Sequence, residues 1–235
     1  MKSILLAVDA VEETVEEAIT VGADLLLVHH PLLLRGVTSV AEDRYKGAMI
    51  AKLIRGDCAL VAAHTNADVV EAGTSAVLAE RLGLQDTHPI VPAADATLGL
   101  GRVGTLAEST TLGRLARVLG ELLPPTAGGI RVAGEYSQPV ERVALCAGAG
   151  DSLLSAPAVL GADVYITSDL RHHPASEARA NARLTSGPGL IDVSHWASEW
   201  LWLDTAATQL RQALPGITVG VSELRTDPWD FTIVQ

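Results

Sequence analysis

The sequence predicts an α/β protein of two related units, each with a mostly parallel or mixed sheet, and a site in the cleft between them. Three observations lead there. Short apolar runs alternate with stretches of helical period over roughly the first ninety positions, the pattern of strands joined by crossover helices. The alternation resumes after position 140. Finally, the triplet Gly22-Ala23-Asp24 recurs as Gly161-Ala162-Asp163, each time ahead of a new strand that leads on to His-His-Pro, first at His29-His30-Pro31 and then at His172-His173-Pro174.

Positions 3–8 read as a strand with Asp9 at its tip. Glu12 and Glu13 open a helix with Val11, Val15, Ala18 and Ile19 on one apolar stripe, and early acids suit the positive end of the helix dipole. Gly22 ends that helix and Asp24 opens the next strand. The run Leu25-Leu26-Leu27-Val28 climbs straight into His29-His30 and is stopped by Pro31, which turns His30 away from helix and withdraws a ladder donor. Positions 35–43 lack a clear period and read as a loop. Positions 44–55 read as a helix closed by Gly56, and 59–63 as a short strand ending at His64-Thr65-Asn66-Ala67-Asp68, which has loop character. A further helix, 74–82, is closed by Gly83. Asp9, His29-His30 and the 64–68 segment thus stand at three strand exits. Parallel strands bring their exits to one edge, where open α/β sheets bind ligands.

A linker is expected over 85–96, with Pro89 and Pro92, dividing a first unit, 1–95, from a second, 96–235. The second carries a strand at 99–106, a helix at 112–123 stopped by Pro124-Pro125, and strands at 130–133 and 140–147. A glycine turn at 148–150, a short helix near 152–160 and a strand at 164–167 follow. A later strand ends at His195, as an earlier one ends at His64. From there Trp196, Trp200, Leu203 and Ala207 recur at helical steps.

The formal charge of −11 argues against a nucleic-acid partner, which calls for a basic stripe. Hydrophobic residues make up 48% and aromatic residues only 3%, so Ala, Val and Leu must fill the core. Cys58 and Cys146 lie far apart in apolar runs and read as buried, reduced thiols of a cytosolic protein. No apolar run approaches the roughly 18 residues of a membrane span, and no secretory leader precedes the first strand. A cytoplasmic location without membrane association is expected.

Two histidines at a strand exit can cradle a metal or simply be polar residues leaving a sheet. His195 and Glu199 stand one helical turn apart on one face and can share an ion, although as an isolated pair they equally suit a surface contact. His64 and Asp68 are also four apart. Nitrogen and oxygen donors without a thiolate suit Zn, Mn, Fe or Ni. Two ions about 4 Å apart need a bridging carboxylate, a place that Asp68 and Glu199 can fill.

Four segments occur in order: Val28-His29-His30-Pro31, His64-Thr65-Asn66-Ala67-Asp68, Asp163-Val164-Tyr165-Ile166-Thr167 and Ser194-His195-Trp196-Ala197-Ser198-Glu199. Together they resemble the NIF-three-like family, often labelled GTP cyclohydrolase 1 type 2 homologues, over nearly the whole chain. The resemblance implies two α/β domains, a toroidal homohexamer, and two divalent transition-metal ions per chain held by His29, His30, Asp68, His195 and Glu199. His64 matches a motif histidine at that site, open to ligation or to proton transfer as a catalytic group. His173 matches a second-half histidine of undefined role, while His88 reads as solvated surface. Two departures stand out: this sequence starts almost at the family's first strand, without the helix and Trp-Asp segment usual before it, and Ser194 stands where glycine is common.

The expected function is a metal-dependent hydrolase acting on an unknown small molecule. The alternative is a metal-bearing adaptor or metal-handling protein with no reaction of its own. No phosphate-binding Gly-x-x-x-x-Gly-Lys loop occurs, so nothing in the residues themselves selects a nucleotide substrate.

Overall fold

A computed structural model of the chain describes residues 1–234. In chain order, β1 (Ser3–Ala7), α1 (Glu12–Thr20), β2 (Leu25–Val28), α2 (Tyr45–Arg55), β3 (Ala59–Ala62), α3 (Thr65–Val69) and α4 (Thr74–Arg81) come first. Next are β4 (Gln85–His88), β5 (Val91–Pro92), β6 (Gly99–Leu100), β7 (Arg102–Thr111), α5 (Leu112–Leu122), β8 (Arg131–Ala133) and β9 (Pro139–Ala149). The remainder is α6 (Pro157–Leu160), β10 (Val164–Ser168), α7 (His172–Thr185), β11 (Gly189–Val193), α8 (His195–Ala213) and β12 (Thr218–Val221). Two compact units result. One joins Met1–Ala67 to Trp202–Thr226; the other joins Asp68–Leu201 to the segment from Asp227 onward.

The first unit is a parallel sheet in the order β12-β1-β2-β3. Leu26 and Val28 of β2 are fully buried, as near-continuous apolar strands of parallel sheets should be. Val15 and Ala18 of α1 and Met49 and Leu53 of α2 close over them. The start of α1 is fixed by Thr14, whose hydroxyl donates to the Asp9 carbonyl at 2.7 Å and accepts from Val11 N–H at 3.1 Å.

The second unit is a mixed sheet in the order β4-β7-β9-β10-β11-β8. β9, β10 and β11 run parallel, while β7 on β9, β4 on β7 and β8 on β11 are antiparallel. Val103, Ala144, Val159, Tyr165 and Leu190 form its core. Arg102 is buried there, with its guanidinium donating to the carbonyls of Gly99, Gly101 and Val70. Such acceptors satisfy a buried cation that burial otherwise disfavours.

The repeated triplet performs one task in both units. Asp24 accepts hydrogen bonds from the N–H groups of Lys2 and Ser3 where β1 starts, and Asp163 accepts from those of Glu141 and Arg142 on β9. Both backbones repeat the pattern too: Asp24 N–H donates to Ser3 and Asp163 N–H to Arg142. The Asp24 carboxyl is held below the ordinary carboxylate range by those two N–H groups.

The histidine part of the repeat does not follow. Leu25 pairs with Ile4 and Ala59, and Val164 pairs with Val143 and Gly189. Carried along that register, His29 and His30 correspond to Ser168 and Asp169. His172-His173-Pro174 lies beyond and opens α7. Pro174 sits in a first helical turn, where its missing N–H leaves no bond unmade, whereas Pro31 follows a strand.

Four other segments differ from expectation. Residues 65–69 are helical and not loop. The expected linker carries β4 and β5, and β4 pairs with β7, so 85–88 is part of the second sheet. α4 also packs on β9 and β7 in the second unit, and β12 returns to pair with β1 in the first. The partner of β1 comes from the far end of the chain, and such long-range pairing leaves no local mark in the residues.

Candidate metal centre

In the first unit the exits of β2 and β3 bring three imidazoles together. One ring nitrogen from each of His29, His30 and His64 lies within 4.8 Å of the others. His29 is 1% exposed, so its ring is seated in protein and not in solvent. Its backbone N–H donates to the carbonyls of Ala7 and Val8 and that of His30 to Val8, pinning the exit of β2 to that of β1. Trp202 packs edge-on to the His29 ring, with centroids 5.9 Å apart.

The ring orientations are fixed from behind. His29 Nδ1 donates to the Ala63 carbonyl at 2.8 Å, and His30 Nδ1 donates to Asp9 Oδ1 at 2.7 Å. Asp9 is itself fixed by the Thr226 hydroxyl on its other oxygen. A proton held at Nδ1 makes Nε2 the lone-pair nitrogen, the usual arrangement behind metal-binding imidazoles.

The second unit repeats this logic with different strands. His195 opens α8, and its Nδ1 donates to Asp169 Oδ2 at 2.7 Å from the exit of β10. Its Nε2 lies 3.0 Å from Glu199 Oε1, one turn along the helix. Glu199 is only 3% exposed, a depth at which a carboxylate calls for a charged partner, and His195 is beside it. Gly148 backs this pair. A Cβ there would stand 2.3 Å from Glu199 Oε1 and 3.2 Å from His195 Nε2. Gly148 N–H donates to Ser198 Oγ at 3.0 Å, and that hydroxyl donates to the His195 carbonyl at 2.8 Å. Asp68, on α3, accepts from Thr74 Oγ1 at 2.8 Å.

Charge follows geometry. Burial alone would lower the His195 pKa, but hydrogen bonds and charge from Asp169 and Glu199 outweigh it and lift the imidazolium to about 10. The same contact with His195 holds Asp169 below the ordinary carboxylate range. Burial, reinforced by the carboxylates of Asp68 and Glu199, pushes the Cys146 thiol up to about 12.

The donor set fits a borderline divalent ion. Ligand atoms about 2.1 Å from one ion stand roughly 3–4 Å apart. His195 Nε2 and Glu199 Oε1 meet that spacing, and the three imidazoles of the first unit are of the same scale. The structure therefore gathers His29, His30 and His64 in one unit, and His195 and Glu199 in the other, where Asp68 is also placed. His172 and His173 lie in ring contact at the start of α7, and His88 is exposed on β4. Asp9 and Asp169 are the residues missed as orienting groups. Their signal was an Asp at the exit of a strand next to one ending in histidine.

With this geometry in hand, the relatives are decisive. The family model Duf34/NIF3 (NGG1p interacting factor 3) matches residues 1–228. The chain belongs to the DUF34/NIF3 family. Among its members, the GTP cyclohydrolase 1 type 2 homolog of Streptomyces coelicolor is 46% identical to this DUF34/NIF3 chain over 96% of it and 80% of the relative. The like-named protein of Mycobacterium leprae is 32% identical over 98% of the chain and 86% of the relative. A Bacillus cereus protein related to NIF3 shares the fold with a TM-score of 0.87 at 24% identity, covering 98% of this chain and 89% of its own. A hypothetical protein of Staphylococcus aureus superposes with a TM-score of 0.85 at 27% identity, over 98% and 87%. Among the described residues no helix is long and apolar enough to cross a membrane.

Proposed function

We propose that this DUF34/NIF3 chain binds two divalent transition-metal ions through His29, His30, Asp68, His195 and Glu199 and acts as a metal-dependent hydrolase. One observation carries the reading: His29, His30 and His195 each have Nδ1 committed to a carbonyl or carboxylate acceptor, which leaves Nε2 as the nitrogen each can offer to an ion. Surface histidines do not need such support.

The chain's own residues then divide the work. Glu199 offers two oxygens and can serve two ions, while each histidine serves one. Asp9 and Asp169 hold their rings in position and raise the basicity of the ligating nitrogen. His64 stands with His29 and His30 at the strand exits and is the residue proposed to carry a proton to or from the substrate. Bound ions of this kind supply Lewis acidity toward a carbonyl or phosphoryl oxygen. The name borne by the Streptomyces coelicolor and Mycobacterium leprae relatives makes GTP one substrate to test. Assembly as a cytoplasmic homohexamer belongs to the same proposal.

The test is elemental analysis of protein purified without chelator, followed by a screen of phosphoesters, cyclic amides and GTP on metal-loaded, metal-stripped and Glu199→Gln protein. Up to two ions per chain and turnover that depends on them are expected. A chain that stays metal-free when offered Zn, Mn or Fe would defeat the reading. Stoichiometric metal with no turnover of any class would leave the metal-bearing adaptor in its place.

A further inference from the structure

Residues 229–234 read Trp-Asp-Phe-Thr-Ile-Val. Trp229, Phe231 and Ile233 alternate with Asp230 and Thr232, which is the period of a strand with one apolar face. The segment belongs to neither sheet, and its large side chains lie in solvent: Trp229 is 67% exposed, Phe231 77%, Ile233 77% and Val234 90%. Its root is fixed, because Asp227 Oδ1 accepts from Ser194 Oγ at 2.6 Å. Single exposed apolar residues are ordinary, but three in strand period, followed directly by a fourth, are not.

A matching deficit lies at a sheet edge. β3 is the outer strand of a parallel sheet, a kind of sheet normally covered on both faces. It reads Ala-Leu-Val-Ala, and Ala59, Val61 and Ala62 are exposed. It has none of the devices that blunt an edge, such as a charge, a proline or a bulge. The other edges differ. β4 carries Gln85, Asp86, Thr87 and His88, β8 carries Arg131, and most of β12 is covered.

We propose that Trp229–Val234 of one copy of this chain adds as a strand to the β3 edge of a second copy, reciprocally. The occupant follows from three points. Backbone pairing satisfies the bare edge of β3, and alternate side chains cover its apolar face, the mode of β-strand addition. One chain carries both the strand and the edge, so a two-fold exchange leaves neither uncovered. The area is also adequate. Trp229, Phe231 and Ile233 from each copy, at about 150–200 Å² apiece, with an equal area of the edges they cover, pass the roughly 1,200 Å² of a small specific interface. The inference supplies surfaces for the assembly proposed above and is independent of the metal reading.

The experiment compares full-length chain with two full-length variants, Phe231→Asp/Ile233→Asp and Val61→Lys, by size exclusion with light scattering at micromolar concentration. Each variant is expected to fall to half the full-chain mass or less, with circular dichroism and metal content unchanged. An equimolar mixture should regain particles of twice the mass of either variant alone. The Val61→Lys copy still presents an intact segment, and the Phe231→Asp/Ile233→Asp copy still presents an intact edge. Variants that keep the mass of the parent would overturn the interface and leave assembly by other surfaces standing. A parent that is monomeric would overturn both the interface and the assembly, with the metal reading untouched.

Discussion

Asp9 and His30 are joined by a 2.7 Å hydrogen bond from Nδ1 to Oδ1, and Asp169 and His195 are joined in the same way in the other unit. The two pairs do not descend from equivalent positions. In the first unit the acid ends β1 and the histidine ends β2; in the second the acid ends β10 and the histidine opens α8 after β11. Two different placements have produced one orientation, with a protonated Nδ1 on the acid and Nε2 turned away from it.

Replacing either acid by Asn keeps the size but lets the amide nitrogen face the ring, which favours the opposite tautomer. Asp9→Asn and Asp169→Asn are expected to weaken metal affinity about 10–100-fold with the fold intact. Competition against a colorimetric chelator measures this, with circular dichroism as the control. Affinity equal to the parent's in both variants would show that the acids do not orient the rings.

Gly148 gives a sharper steric test. Its φ of +72° disfavours any side chain, and an added methyl would meet Glu199 Oε1 at 2.3 Å. Gly148→Ala should therefore lower stability by roughly 1–2 kcal/mol through the backbone alone and displace Glu199 from His195. Thermal unfolding and metal stoichiometry together read both effects. Normal metal content in the alanine variant would mean that Glu199 is not held where the donors meet.

Much of this was legible in the residues because the decisive features are local. Leu25–Val28 could only be a buried strand, and His29-His30-Pro31 could only be its end. The Gly-Ala-Asp triplet marks two strand starts because Asp24 and Asp163 each bond two N–H groups of a neighbouring strand. The rest depends on pairing between distant segments. Residues 65–69 look like loop until the five-residue helix α3 is seen, and nothing near Thr218–Val221 announces a partner at Ser3–Leu6. Asp9 and Asp169 were hidden for the same reason. Each supports a histidine more than twenty residues away.

Buried thiols make a simple prediction. Burial pushes Cys146 up to about 12 and raises Cys58 as well, and neither forms a disulfide. Since the thiolate is the nucleophile, neither should react with iodoacetamide at pH 8 in the native chain, while both should react in denaturant. Rapid native labelling of Cys146, read by mass spectrometry, would place it at the surface.

The lifted pKa of His195 sets a pH dependence with opposite signs for the two forms of the chain. Without metal, the proton held between Asp169 and Glu199 stabilises the fold. For a group raised from its ordinary 6.5 to about 10, that contribution is complete below about 6.5 and is lost as pH climbs through about 10. Chelator-treated protein should thus lose thermal stability from neutral to alkaline pH, and His195→Asn should lack that slope. A metal ion needs the lone pair the proton occupies, so affinity should instead rise with pH, by up to roughly tenfold per unit for one displaced proton. Titrations between pH 6 and 9 that show flat affinity would remove His195 from the ligand set.

Glu199 should matter more to ion pairing than either histidine of the first unit. It is buried on the same helical face as His195, with Oε1 3.0 Å from Nε2. A carboxylate has two anionic oxygens and can serve two ions, whereas an imidazole with Nδ1 engaged has one donor atom. Glu199→Gln preserves the volume and the helix but removes the charge, and a neutral amide bridges two cations poorly. Loss of at least one ion per chain and of any hydrolytic turnover is expected, with an unchanged circular dichroism spectrum. His30→Ala should leave a partly occupied centre, since Asp68, His195 and Glu199 remain. The discriminating measurement is metal stoichiometry of the two variants after equal dialysis. If Glu199→Gln retained both ions while His30→Ala lost them, pairing of the ions would have to rest on Asp68 and the histidines at the strand exits, and the carboxylate beside His195 would be a support for that ring alone.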